Sequence, residues 1–210
     1  MRNKNRIAVT NLPDLPDHIT ADDLPSYVKA QLRGLGEQNA ELVGRHLAMV
    51  FEYLEDVPEL AYQHARAAAD RAGRVGVVRE FAGLTSYYTE RWAEAVRELR
   101  TYQRISGERH HAALLADALR GIGKPAEALD YGAAVPTAEL DPDEAVELGL
   151  VLAGAQGDLG EFGVARVALD RLGRNQLDDE QRERVRLARE RIEALEQGAP
   201  PETQEFVEEG

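Results

Sequence analysis

Four short phrases of one pattern recur along this chain: Pro58-Glu59-Leu60-Ala61, Trp92-Ala93-Glu94-Ala95, Pro125-Ala126-Glu127-Ala128 and Phe162-Gly163-Val164-Ala165. Their closing alanines lie 34, 33 and 37 residues apart. Such a period marks an array of small supersecondary units that cannot bury their apolar faces singly and must stack. The long third interval has a local cause, because Pro136, Thr137 and Pro142 lengthen the connection over 134–142.

Between Leu24 and Gln197 the residues are dominated by Ala, Leu, Arg and Glu, all strong helix formers, and no period-2 alternation or Asn-Gly turn signals a strand. Pro25 fits the first turn of a helix ending near Leu35, where Gly34 and Gly36 stop it, and a second helix is expected over about 38–54. Asp56 and Glu59 form a capping-box-like pair around Pro58, and Asp141-Pro142-Asp143-Glu144 repeats that device. The last helix is expected to start near Asp178 and to stop at Gly198, before Pro200-Pro201. Residues 1–21, with Pro13 and Pro16 and no apolar period, read as an extended arm. Residues 22–197 read as one helical domain and 198–210 as an acidic tail.

Before each phrase stands an amphipathic helix with a small residue at its middle: Ala48, Gly83, Ala116 and Ala153. Gly123 and Gly160 precede two of the phrases, where a helix-to-helix turn calls for positive φ. A helix–turn–helix unit of about 34 residues, small at both crossings and carrying an aromatic near the turn, resembles the tetratricopeptide repeat family. The resemblance covers residues 38–172, and is fullest in the third unit, from Leu115-Ala116 through Leu119, Gly123, Ala126-Glu127-Ala128 and Tyr131. Pro58 and Pro125 depart from it by standing where the aromatic usually sits, and Glu90 replaces the turn glycine before Trp92. The whole chain is also similar to a group of uncharacterised actinobacterial tetratricopeptide proteins. The resemblance implies an all-α, right-handed α-solenoid of about four helix pairs with an extra helix at each end.

The last helix suits a closing position in such an array. Val185, Ala188, Ile192 and Leu195 form one apolar stripe, and the rest is Arg and Glu, with Asp178–Arg182 and Glu180–Arg184 spaced for i,i+4 pairs. Residues 177–197 hold seven acids and five arginines, a net of −2, which favours a solvated closing face over an RNA-binding helix.

Charge narrows the function classes. Lys plus Arg number 25 against 38 Asp plus Glu, a net charge of −13, which disfavours nucleic acid and anionic membranes as partners. The absence of cysteine excludes disulfides, cysteine nucleophiles and thiolate zinc sites. No apolar run nears the roughly 20 residues of a membrane span, and Ile7-Ala8-Val9 is too short for a secretory segment, so a cytoplasmic protein is expected.

No constellation for catalysis emerges. His18, His46, His64, His110 and His111 form no zincin-type pair, and on one helix His110 and His111 would point about 100° apart. Gly121-Ile122-Gly123-Lys124 lacks the earlier glycine and the strand of a phosphate loop, so a repeat turn explains it better. Gly154, Gly157, Gly160 and Gly163 lack the dinucleotide pattern and suit close helix packing instead. No metal, cofactor or enzymatic activity is expected.

Under the family resemblance, first helices line the concave side of the solenoid. First-helix segments 37–55 and 143–158 carry −3 and −4, whereas 91–106 carries +2 through Arg91, Arg97, Arg100 and Arg104 against Glu94 and Glu98. The aromatics Phe51, Tyr53, Phe81, Tyr87, Tyr88, Trp92 and Tyr102 cluster in the first two units, most of them as core. Helical phase leaves Tyr53 and Tyr87 or Tyr88 toward the groove beside Glu80 and Leu84, with Asp117 and Arg120 continuing that face. The expected function is therefore a non-catalytic scaffold that binds a protein or peptide segment in this groove. The alternative is an RNA- or ribosome-associated accessory protein using the arginines of 66–104 with Arg2, Lys4 and Arg6.

Overall fold

A computed structural model describes residues 13–173 and 177–198. Among them there are ten α-helices, two short 3₁₀ turns and no strand. The arm's residues 1–12 and the tail's 199–210 lie outside the described residues. The chain divides into two compact units with the boundary between Glu108 and Arg109, where sequence reading gives one domain over 22–197. Gly107, at φ +78°, ends the last helix of the first unit.

The first unit holds α1 (Ser26–Leu32), α2 (Glu37–Tyr53), α3 (Pro58–Ala72), α4 (Gly76–Tyr88) and α5 (Trp92–Ser106). Successive helices from α2 to α5 pack on one another, and α1 rests on α2 and α4. Helix α3 can lie between α2 and α4 because its inward face is almost all alanine: Ala61, Ala65 and Ala68 are fully buried. On α4 a Cβ at Gly83 would stand 2.6 Å from Leu99 Cδ2 of α5, so only glycine lets these helices meet here. Ala48, expected to play that part in α2, is half-buried; Gly44 makes α2's close approach, to Ala21 and Leu24 of the preceding segment.

The second unit holds α6 (Ala112–Gly121), α7 (Pro125–Ala133), α8 (Pro142–Asp158), α9 (Phe162–Leu172) and α10 (Asp179–Glu196). Val146, Leu150 and Ala153 of α8 pack with Ala165 and Leu169 of α9 and with Val185 and Ile192 of α10. Ala188 and Leu195 flank that cluster, so the apolar stripe of α10 covers the preceding pair as its sequence implies. The ion pairs differ from expectation. Arg182 pairs with Asp179 rather than Asp178, and Arg184 leaves its own helix for Glu147 on α8. Asp178 is occupied as the N-cap, accepting from the Gln181 N–H at 2.8 Å.

Each of the four phrases begins its helix at the first residue, and each closing alanine is fully buried. Three of the preceding turns share one closure. The residue two places before the helix takes a left-handed conformation: Glu90 at φ +57°, Gly123 at +72° and Gly160 at +76°. The following N–H then bonds five residues back, Arg91 to Ser86, Lys124 to Leu119 and Glu161 to Gln156, at 2.8–2.9 Å. This closure satisfies carbonyls that the ending helix leaves unpaired. Glu90 thus performs a glycine's task at a steric cost of about 1 kcal/mol.

The first pair turns otherwise. Pro58 is the first helical residue of α3, so Val57 takes the N-cap position and no side chain caps the helix. The Asp56–Glu59 box is therefore not formed; Asp56 stands one residue too far out, and Glu59 pairs with Arg91 instead. The Asp141 box does form: its carboxylate accepts from the Glu144 N–H at 2.8 Å, and Glu144 accepts in return from the Asp141 N–H.

Candidate functional site

The residues expected to line one groove are divided between the units. Asp117 and Arg120 belong to α6, in the second. There Arg120 cross-links helices, donating to Asp117 at 2.8 Å and to Asp158 of α8 at 2.7 Å. Its guanidinium lies over Gly154, where a Cβ would meet Cζ at 2.8 Å, so that glycine makes room for the ion pair.

Tyr53, Glu80, Leu84, Tyr87 and Tyr88 lie in the first unit. Leu84 is buried in the core at 9% exposure. Tyr53 is half-buried and stacks on the His64 ring of α3, centroids 6.4 Å apart, so it faces α3 rather than α4. Phe51, two residues earlier and about 200° round the helix, faces α4 instead. Its ring meets Phe81 edge-on at 4.7 Å while 43% of the residue stays exposed. Along α4, Phe81, Leu84 and Tyr88 follow at helical spacing, and Tyr88 is also 43% exposed. Tyr87 is half-buried, edge-on to Trp92 at 5.2 Å and to Tyr88 at 6.0 Å. Tyr27 of α1 is 52% exposed, and its hydroxyl pKa is raised by burial and by the charge of half-buried Glu80.

The result is an aromatic face on α2 and α4, with Phe51 and Tyr88 open to solvent and Phe81 and Leu84 as its floor. Sequence reading found Leu84 and Tyr88 of this face and missed Phe51, while Glu80 stands by its charge near Tyr27 of α1 and Tyr102 of α5 instead. A shift of α2's register could have exposed Phe51, but Tyr27 carries no signal in its own short helix.

A second concentration of chemistry lies among α3, α4 and α5. Glu98 of α5 is 1% exposed and receives Arg79 at 2.5 Å and Arg97 at 2.8 Å. Glu94, one turn earlier, accepts from Tyr62 at 2.7 Å and from Arg66 at 2.8 Å. Arg91 pairs with Glu59 and lies over the Tyr62 ring at 4.1 Å. Of the arginines over 66–104, Arg66, Arg79 and Arg91 are therefore cross-links between helices, whereas Arg97 pairs within α5. Arg74 and Arg104, by contrast, make no ion pair among the described residues.

The histidines divide likewise. His46 of α2 and His64 of α3 are both 1% exposed, with their Nδ1 atoms 3.0 Å apart, so one donates while the other accepts. Burial, and for His46 the neighbouring His64, Arg71 and Arg45, pushes its pKa down to about 4. Burial also takes His64 to about 4, against an upward pull from Asp14. His111 is not inside a helix: it is the left-handed N-cap of α6, and His110 before it bonds Glu144 at 3.0 Å. No cluster of three or more His, Asp or Glu side chains among the described residues could hold a metal ion. No described helix is long and apolar enough to cross a membrane. Comparison with known proteins returns no significant match to a family model, to a curated protein or to a solved structure.

Proposed function

We propose that this protein is a cytoplasmic, non-catalytic scaffold whose first unit binds a protein segment on the aromatic face of α2 and α4. One observation carries the reading: Phe51 and Tyr88 are each 43% exposed yet packed on another ring, one edge-on to Phe81 and the other to Tyr87. Aromatics braced by a neighbouring ring lose little conformational entropy on binding and supply the large contact area typical of interfacial anchors. The turn closure shared by three helix pairs supports taking the pairs as tetratricopeptide-type repeats of a right-handed solenoid. In that family the first helix of each pair forms the binding face, and α2 and α4 are first helices.

The rival RNA reading draws on the arginines of 66–104, of which Arg66, Arg79, Arg91 and Arg97 already serve carboxylates of the chain itself. Affinity capture with the full chain, followed by titration of the captured protein, tests the proposal. Phe51→Ala and Tyr88→Ala are each expected to weaken binding by about 1–3 kcal/mol, with melting nearly unchanged for Tyr88→Ala. Undiminished binding by a folded Phe51→Ala/Tyr88→Ala double variant would refute it.

A further inference from the structure

We infer that the cleft where the end of α3 meets α4 and α5 is a binding site for a compact oxyanion of the phosphate class, carried by a small phosphorylated molecule. The cleft measures about 390 Å³ and lies apart from the aromatic residues proposed above. Its wall carries Arg74, Arg79, Arg97 and Arg104 against the single carboxylate of Glu98, a net of +3 on a chain of net −13. A local excess of one sign, opposed to the charge of the whole molecule, concentrates counter-ions at one place.

The donors are ordered before any ligand arrives. Glu98, buried, holds Arg79 through Oε2 and Arg97 through Oε1, so one carboxylate orients two guanidinium groups. Arg79 is fixed from the other side by its Nε donating to the Gly73 carbonyl at 2.7 Å. A Cβ at Gly73 would collide with the Arg79 Nη2, so glycine at this position lets the guanidinium lie over the end of α3. Once these bonds are made, Arg79 Nη2 and Arg97 Nη1 have no acceptor among the described residues. Arg74 and Arg104, both exposed, contribute whole guanidinium groups. The planar donor forks of arginine match the oxygens of a phosphate, and charge-assisted bonds of this kind are about twice as strong as neutral ones.

Size and charge decide the class of ligand. The volume falls at the lower end of small-molecule sites. It admits a phosphate or pyrophosphate with a small attached group. A nucleic acid would instead need a basic track along which successive phosphates are neutralised. Next to the cleft the outer face of α5 continues with Arg100 but also with Ala93 and Val96, and the rest of the chain repels a polyanion.

The test uses the full chain, with inorganic phosphate and pyrophosphate as probes, by calorimetric titration and thermal melting at constant ionic strength set with sodium chloride. Pyrophosphate is expected to bind and to raise the melting temperature. The double variant Arg74→Gln/Arg104→Gln removes two exposed cations that have no ion pair among the described residues, so it is expected to fold as the parent does and to lose at least tenfold in affinity. The control Arg171→Gln, on α9, is expected to bind as the parent does. Equal stabilisation by pyrophosphate and by chloride of matched ionic strength would overturn the inference, leaving only screening. Unchanged affinity in the folded double variant would overturn it too. A single-stranded RNA oligomer that displaces pyrophosphate and binds more tightly, with a steep salt dependence, would replace the small ligand by a polyanion.

Discussion

The two units solve the same packing problem with different chemistry. Among the described residues all six buried polar or charged ones, His46, His64, Thr85, Ser86, Glu98 and Gln103, lie in the first unit. The buried side chains of the second are apolar among the described residues, and its ion pairs are half-buried, as in Arg120–Asp158, or more exposed, as in Arg184–Glu147 and Arg189–Asp170. The second unit also has side-chain capping boxes at α8 and α10, while no helix of α1 to α5 has a side-chain cap at its N-cap residue. Burying a polar group is costly unless its partners are in place, whereas an apolar contact tolerates small shifts. The first unit is therefore specified by particular partners, and both proposed binding surfaces lie there. The second rests on area and local caps.

The contrast breaks most sharply at its carboxylates. Glu98→Ala would remove the buried carboxylate that holds Arg79 and Arg97, and because both guanidinium groups keep access to water it is expected to cost about 2–3 kcal/mol. Glu147→Ala removes a half-buried partner of the exposed Arg184 and should cost under about 1 kcal/mol. Denaturant unfolding measures both, and Trp92, the sole tryptophan, reports on the first unit because it begins α5. Similar losses in the two variants would erase the distinction.

Acid should separate the units next. The pKa of both buried imidazoles lies near 4, below the 6.5 of a free histidine, so the unfolded chain binds more protons between those values. Their contribution is fully present above pH 6.5 and is lost as pH falls toward 4. From pH 7 to 5 the first unit should lose about 2 kcal/mol for each imidazole that stays neutral. Arg45 and Arg71 beside His46 oppose its protonation, while Asp14 beside His64 favours it. Trp92 fluorescence in denaturant titrations at the two pH values checks this, and His46→Gln/His64→Gln should flatten the dependence. A slope unaltered in that variant would place the acid sensitivity elsewhere.

The smallest effect sharpens the comparison at the turns. Glu90→Gly relieves a left-handed glutamate and should stabilise the first unit by up to about 1 kcal/mol, less the entropy that glycine restores to the unfolded chain. Gly123→Ala, at the matching place in the second unit, should destabilise by a similar amount. Thermal melting of the two variants gives the signs, and equal signs would show that the turns are not equivalent.

What could be read from the sequence was local. The four phrase-initial residues begin helices, Gly123 and Gly160 take positive φ, and Asp141 and Asp178 cap, because each depends on backbone geometry within a few residues. Even the failed Asp56 cap missed by a single position, which Pro58 decided by beginning the helix itself. The groove was only partly legible. Each residue turns a helix by 100°, so a shift of two positions exchanged Phe51 for Tyr53, and Leu84 proved to be buried in the core. The pairs that characterise the first unit carried no signal at all. His46 meets His64 across 18 residues, Arg79 meets Glu98 across 19, and the Gln31 side chain accepts the Val77 N–H across 46. Such partners are chosen by the way helices stack, and the low-dielectric interior that makes them matter exists only after the stack has formed.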